Sequence, residues 1–186
     1  MPTYGFLLIF CTSNYIATFT PFNLKLIILG VTFVFTFLLP TINALILLRM
    51  GKIKSLEMET TAERTVPYLS TTFYFFALFY LFYSAHFPAV LSALVLGAAI
   101  SILLTLIINY RWKISAHAIG TGGIIGAAIG LSFRLLTDMN IVLMLVIFCA
   151  GLTGYARLKL NAHTPAQVYS GFLLGTLIEL TLMLFY

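Results

Sequence analysis

The chain has 186 residues, of which 61% are hydrophobic and only 8% charged, with formal net charge +5 and mean hydropathy +1.08. A soluble domain carries roughly 25% charged residues, so this composition excludes a water-soluble globule and makes the bilayer the solvent. The cations sit in short loops with no base-reading module among them, which argues against nucleic acid as a partner.

A membrane-spanning helix needs about 20 apolar residues. Seven candidate segments follow in chain order: Tyr4–Phe19, Leu24–Leu48, Val66–Phe82, Pro88–Ile108, Ile119–Leu136, Ile141–Tyr155 and Ala166–Tyr186. They predict an all-α fold, one polytopic transmembrane bundle of six to seven helices in a single domain over residues 1–186. The first segment is short enough to dip into the membrane rather than cross it. It lacks a basic leader and a small-residue cleavage site, so it reads as retained structure and not a secretory signal. Cys11 and Cys149 fall inside apolar segments, match no metal spacing, and read as small buried residues.

The polar residues concentrate in three connections. The first runs from Arg49 to Arg64 and includes Lys52, Lys54, Glu57, Glu59 and Glu63. The second holds Arg111, Lys113, Ser115 and His117, and the third holds Arg157, Lys159 and His163. Two segments separate each connection from the next, so all three share one membrane face. The opposite face receives Lys25, His86, Arg134 and Asp138.

Helix-start signals cluster on the same shared face. Ser115 suits the N-cap of the fifth segment, and Thr164-Pro165-Ala166-Gln167 opens the last with a capping box and an N1 proline. Thr65 and Pro67 suit the start of the third. Three helix N-termini then direct partial positive charge at one place, a ready anion site. Gly122, Gly126 and Gly130 recur every fourth residue, as do Gly171 and Gly175. Such ladders permit close helix contact in a membrane. They fit packing within one chain better than a dimer interface, because both lie on helices that carry polar clusters.

The arrangement Ser-x-His, followed by Arg157-x5-His163 and a polar residue four positions later, resembles the type-2 phosphatidic acid phosphatase family of lipid phosphatases and haloperoxidases. The resemblance covers Arg64 to the C-terminus. It implies a membrane phosphatase acting on a phosphate or pyrophosphate lipid, with no cofactor and no metal. It implies that His163 attacks phosphorus, that His117 protonates the leaving oxygen, and that Arg64, Arg157 and Ser115 hold the phosphoryl oxygens. The text departs from the family pattern at several positions. Glu57 stands where the family has lysine, Thr65 follows Arg64 where proline is usual, Ala116 replaces the glycine before the first histidine, and Ala156 precedes Arg157 in place of serine. Gln167 occupies the place of the aspartate that orients the nucleophile.

The chemistry explains why such groups belong together. Guanidinium forks and helix amides neutralise the equatorial oxygens of an anionic ester. A histidine nucleophile splits the displacement into two easier steps, and a second histidine manages the leaving-group proton. The nucleophile needs its far nitrogen protonated and fixed, a task for Gln167 or for a carboxylate from Glu57, Glu59 or Glu63. A structural alternative stands beside each assignment: Ser115 as a plain N-cap, Gln167 as half of a capping box, and the loop lysines as contacts for anionic lipid headgroups. Accordingly, a weak or inactive lipid-binding homologue or scaffold is the second reading. Glu179, a carboxyl inside an apolar run, is either functional, as in a small transporter if buried and water-connected, or reaches the opposite interface. Eight of the ten Lys and Arg residues lie on the motif face, with Lys25 and Arg134 on the other. The positive-inside rule would make that face cytoplasmic. The family resemblance instead implies the outer face of a bacterial inner membrane, and that outer placement is adopted as the expectation.

Overall fold

The computed structural model describes residues 2–12, 15–58 and 60–186, and the fold is all-α. The elements are α1 (Pro2–Cys11), α2 (Tyr15–Phe19), α3 (Phe22–Phe33), α4 (Leu39–Arg49), α5 (Thr61–Ser84), α6 (Ala89–Asn109), α7 (Ala116–Leu135), α8 (Asn140–Lys159) and α9 (Pro165–Phe185). A five-residue π-helical turn, Val34–Leu38, joins α3 to α4. Together these three form one helical stretch of 28 residues. Pro40 explains the turn. It has no N–H to give and its ring crowds the carbonyl four residues back, so the ladder widens just before it, with Leu39 N–H reaching Val34 O.

Among the described residues, six helical stretches are long and apolar enough to cross a membrane: Phe22–Arg49 and α5 to α9. The first predicted segment is different, because it forms two short helices, α1 and α2. At about 1.5 Å per residue, α1 covers about 15 Å, half of a bilayer core. It nevertheless anchors the bundle, since Phe6 and Ile9 are fully buried and Phe6 stacks on Phe82 of α5 at 5.7 Å between ring centroids.

The apolar core gathers at the end of the bundle away from the three polar connections. Leu78 and Phe82 end α5 there, Leu91 and Val95 begin α6, Leu131 ends α7, and Met183 ends α9. Phe73, Tyr80 and Tyr83 point outward on α5, as a lipid-facing aromatic run should. Cys11 and Cys149 are exposed and not buried. Both sit on outward faces that no other part of the described chain covers, so an apolar sequence context did not mean an interior position.

The α7–α9 seam positions everything else. A methyl group added at Gly175 would collide with the Ile119 carbonyl, and one at Gly171 would lie 2.8 Å from the Ser115 carbonyl oxygen. Gly122 and Gly126 face the backbone of Phe172 and Thr176 in the same way. The Thr176 hydroxyl spans the seam to the Gly122 carbonyl at 3.0 Å. The glycine ladders therefore pack within the chain. They draw the N-terminus of α9 against that of α7, where Ser115 N–H donates to the Gln167 carbonyl at 3.3 Å.

Candidate functional site

Local sequence signals set the three helix starts. Ser115 caps α7, its hydroxyl accepting from Ala118 N–H at 3.4 Å. Thr164 and Gln167 close a reciprocal capping box on α9. On α5 the start lies earlier than the Thr65–Pro67 expectation. Thr60 is the N-cap and Glu63 completes its capping box, leaving Pro67 inside the helix. Thr60-x-x-Glu63 satisfies two amide donors reciprocally, which outweighs proline's preference for the first turn. Asn109, at the end of α6, donates to the Thr61 carbonyl at 2.8 Å and ties α6 to the start of α5.

His163 sits half-buried between α8 and α9. Its Nδ1 lies 3.2 Å from Gln167 Oε1. The same oxygen accepts from Thr164 N–H at 3.1 Å, so it is the acceptor and Nδ1 is the ring donor. The ring also meets the Lys113 main chain. Burial, foremost, holds the His163 imidazole below its ordinary pKa. The Gln167 bond works against that shift, while the charges of Arg64 and Lys113 reinforce it. An open cleft of about 490 Å³ lies against the ring, lined also by Lys113, Asn161, Thr164 and Gln167.

His117 is exposed at the first turn of α7. The charges of Arg157 and Arg64 both act on it. Arg64 also acts on His163, so one guanidinium is common to both histidines. Arg64 is only 8% exposed, and its Nε donates to the Met58 carbonyl at 2.7 Å. The connection after α4 thus folds back over the start of α5. Arg157, on the last turn of α8, encloses an Nε with no hydrogen-bond partner. That orphaned donor belongs to a cation whose charge bears on His117.

Two expectations change. Glu63 does not serve His163, because its carboxylate accepts from Lys54 N–H at 3.1 Å, Thr60 N–H at 3.2 Å and the Thr60 hydroxyl at 3.1 Å. Glu57 is exposed, and Glu59 lies outside the described residues. Ser115 is fully buried, and its hydroxyl is used as the N-cap. Sequence reasoning treated Lys113 as a headgroup contact and passed over Tyr68, which stands one turn beyond Arg64 and interacts with it. The i, i+4 spacing of Arg64 and Tyr68 was the available signal.

The arrangement collects two imidazoles, two guanidiniums and Lys113 where α5, α7 and α9 begin and α8 ends. It can bind an anion of phosphate size through charge and helix amides. It also presents one histidine whose far nitrogen is fixed by an amide oxygen. Glu179 lies elsewhere, buried in the bundle at 5% exposure. The chain matches no family model, no curated protein and no solved structure.

Proposed function

We propose that the protein is an integral-membrane phosphatase that hydrolyses a phosphate or pyrophosphate lipid through a histidine nucleophile. One observation supports this reading: Gln167 Oε1 lies 3.2 Å from His163 Nδ1 and orients the ring, with the charge of Arg64 weighing on both His163 and His117. With Nδ1 as donor, Nε2 holds the lone pair for attack on phosphorus. The P–O bond to the leaving group breaks as the N–P bond forms, and His117 gives its proton to the leaving oxygen, an alkoxide from a monophosphate or the lipid's remaining phosphate from a diphosphate. Water, deprotonated by His117, then cleaves the phosphoryl-histidine and releases phosphate. Arg64 and Arg157 carry the charge on the equatorial oxygens. The site faces the outside of a bacterial inner membrane in this reading.

The amide at Gln167 favours the second reading, a slow or silent member that retains anionic-lipid binding. A neutral acceptor fixes the tautomer but stabilises an imidazolium less than a carboxylate would. In a Ser-His-Asp triad the corresponding loss of charge costs about 10⁴ in rate. Phosphate release from a panel of lipid monophosphates and diphosphates by the purified protein decides between them. Release that vanishes in His163→Ala supports the enzyme. No release from any lipid phosphate, with retained binding to vesicles of anionic lipid, leaves the binding protein.

A further inference from the structure

A second polar site lies within the bundle, below the histidines. A cavity of about 130 Å³ runs between α5, α6, α7 and α9, with α1 across it. Its lining extends from Leu94 to Thr105 on α6 and from Ala116 to Ala127 on α7. Each stretch spans about 16 Å at about 1.5 Å per residue. The walls are almost wholly aliphatic. Into them project Glu179, 5% exposed, and Ser101, 6% exposed. Glu179 Oε2 and Ser101 Oγ both lack a hydrogen-bond partner.

Two orphaned buried groups in one apolar cavity are unusual, because each costs about 1–3 kcal/mol if nothing satisfies it. The chain has made room for the carboxyl. A methyl group at Gly97 would collide with it, and one at Gly123 would come within 3.3 Å of its Cγ. A bare cation does not fit this donor set. Calcium takes six to eight oxygens, whereas the lining residues with side-chain oxygens are Ser101, Thr105 and Glu179. The Thr105 hydroxyl already donates to the Ser101 carbonyl at 2.6 Å. What completes the site is a neutral hydrogen-bonding group on an apolar body. A dry cavity of roughly 150 Å³ holds a benzene-sized molecule, so the volume suits a small guest.

We propose that this cavity binds an uncharged, chain-like apolar molecule bearing one hydroxyl or carbonyl group, held by Glu179 and Ser101. This site is separate from the anion cluster and does not depend on its chemistry.

The test uses dicyclohexylcarbodiimide, which adds to carboxyl groups in apolar surroundings, on the full chain in detergent, read by peptide mass. The reagent modifies Glu179 and not Glu179→Gln. Saturating 1-pentanol, with as many heavy atoms as benzene, slows that modification by about tenfold, and pentane at the same concentration by less than about twofold, the difference expected of one hydrogen-bonding group. Ser101→Ala raises the pentanol concentration needed. Ala98→Phe and Ile124→Trp, which fill the cavity, remove the protection in whichever variant still elutes as a single species. If neither does, Ser101→Ala decides alone. Failure of pentanol to protect, equal protection by pentane, an unmodified Glu179 in well-folded protein, or an unchanged Ser101→Ala response each overturns the proposal.

Discussion

Helices α7 and α9 touch backbone to backbone along their glycines, whereas α8, which joins them in sequence, buries only Ala150. Both regions serve the same cluster. The seam holds His117, Ser115 and Gln167 in fixed register, and His163 follows from the start of α9. The loosely covered helix supplies Arg157. In lipid no hydrophobic force drives helices together, so closeness must come from small residues and shape. The difference shows that this chain spends its small residues on the histidine pair and leaves one guanidinium on a helix that lipid largely surrounds.

The contrast can be broken most severely at the seam. Gly175→Leu drives a side chain into the Ile119 carbonyl, with a cost of about 4 kcal/mol or more. The expected result is loss of the monodisperse protein in size-exclusion chromatography, and all phosphate release with it. Arg157→Ala tests the other region. Its Nε has no partner, so the melting temperature should stay unchanged while kcat/KM for lipid phosphate falls by about 10²-fold, as for loss of one preorganised donor.

Gln167→Glu sharpens the comparison, because glutamate keeps the capping box while adding charge beside His163. Turnover should rise by about tenfold, a fraction of the 10⁴ at stake in a protease triad. The pH profile gives a second readout. Burial, then the charges of Arg64 and Lys113, hold His163 below its ordinary value against the opposing Gln167 bond. Its neutral form therefore persists as pH falls, and the acid limb of activity in the wild type should lie below pH of about 6.5. A carboxylate at position 167 favours the imidazolium, so that limb should move upward. The smallest effect is expected on α8. A methyl group at Gly151 meets nothing within 4 Å, so Gly151→Ala should leave activity intact and raise thermal stability by at most about 1 kcal/mol.

Much of this architecture was legible because its causes are local. Four-residue glycine spacing, Thr164-Pro165-x-Gln167 and Ser115 before an apolar run each act within a turn or two, and the structure uses each as expected. Counting segments put the three polar connections together, a result that survives the division of the first segment into α1 and α2. Other features depend on distant neighbours. Whether Cys149 is covered depends on how few helices pack on α8. The start of α5 turned on competition between Thr60-Glu63 and Pro67, two plausible signals seven residues apart. The engagement of Glu63 with Lys54, and of Lys113 with His163, requires knowing how loops fold back. Glu179 was recognisable as anomalous, but its companion Ser101 and the space around both emerge only from packing.

The bond from Arg64 Nε to the Met58 carbonyl has one more consequence. A guanidinium secured at that nitrogen, and met also by Tyr68, no longer swings freely about its long stem, and what its terminal amino groups have left is for a visitor. Much of the disorder that capture of an anion would remove has already been removed by folding. An unanchored arginine would surrender that freedom at each encounter. Here the loop between α4 and α5 acts as a standing brace, so shortening or loosening it should weaken anion capture even though it contributes no charge of its own at that contact.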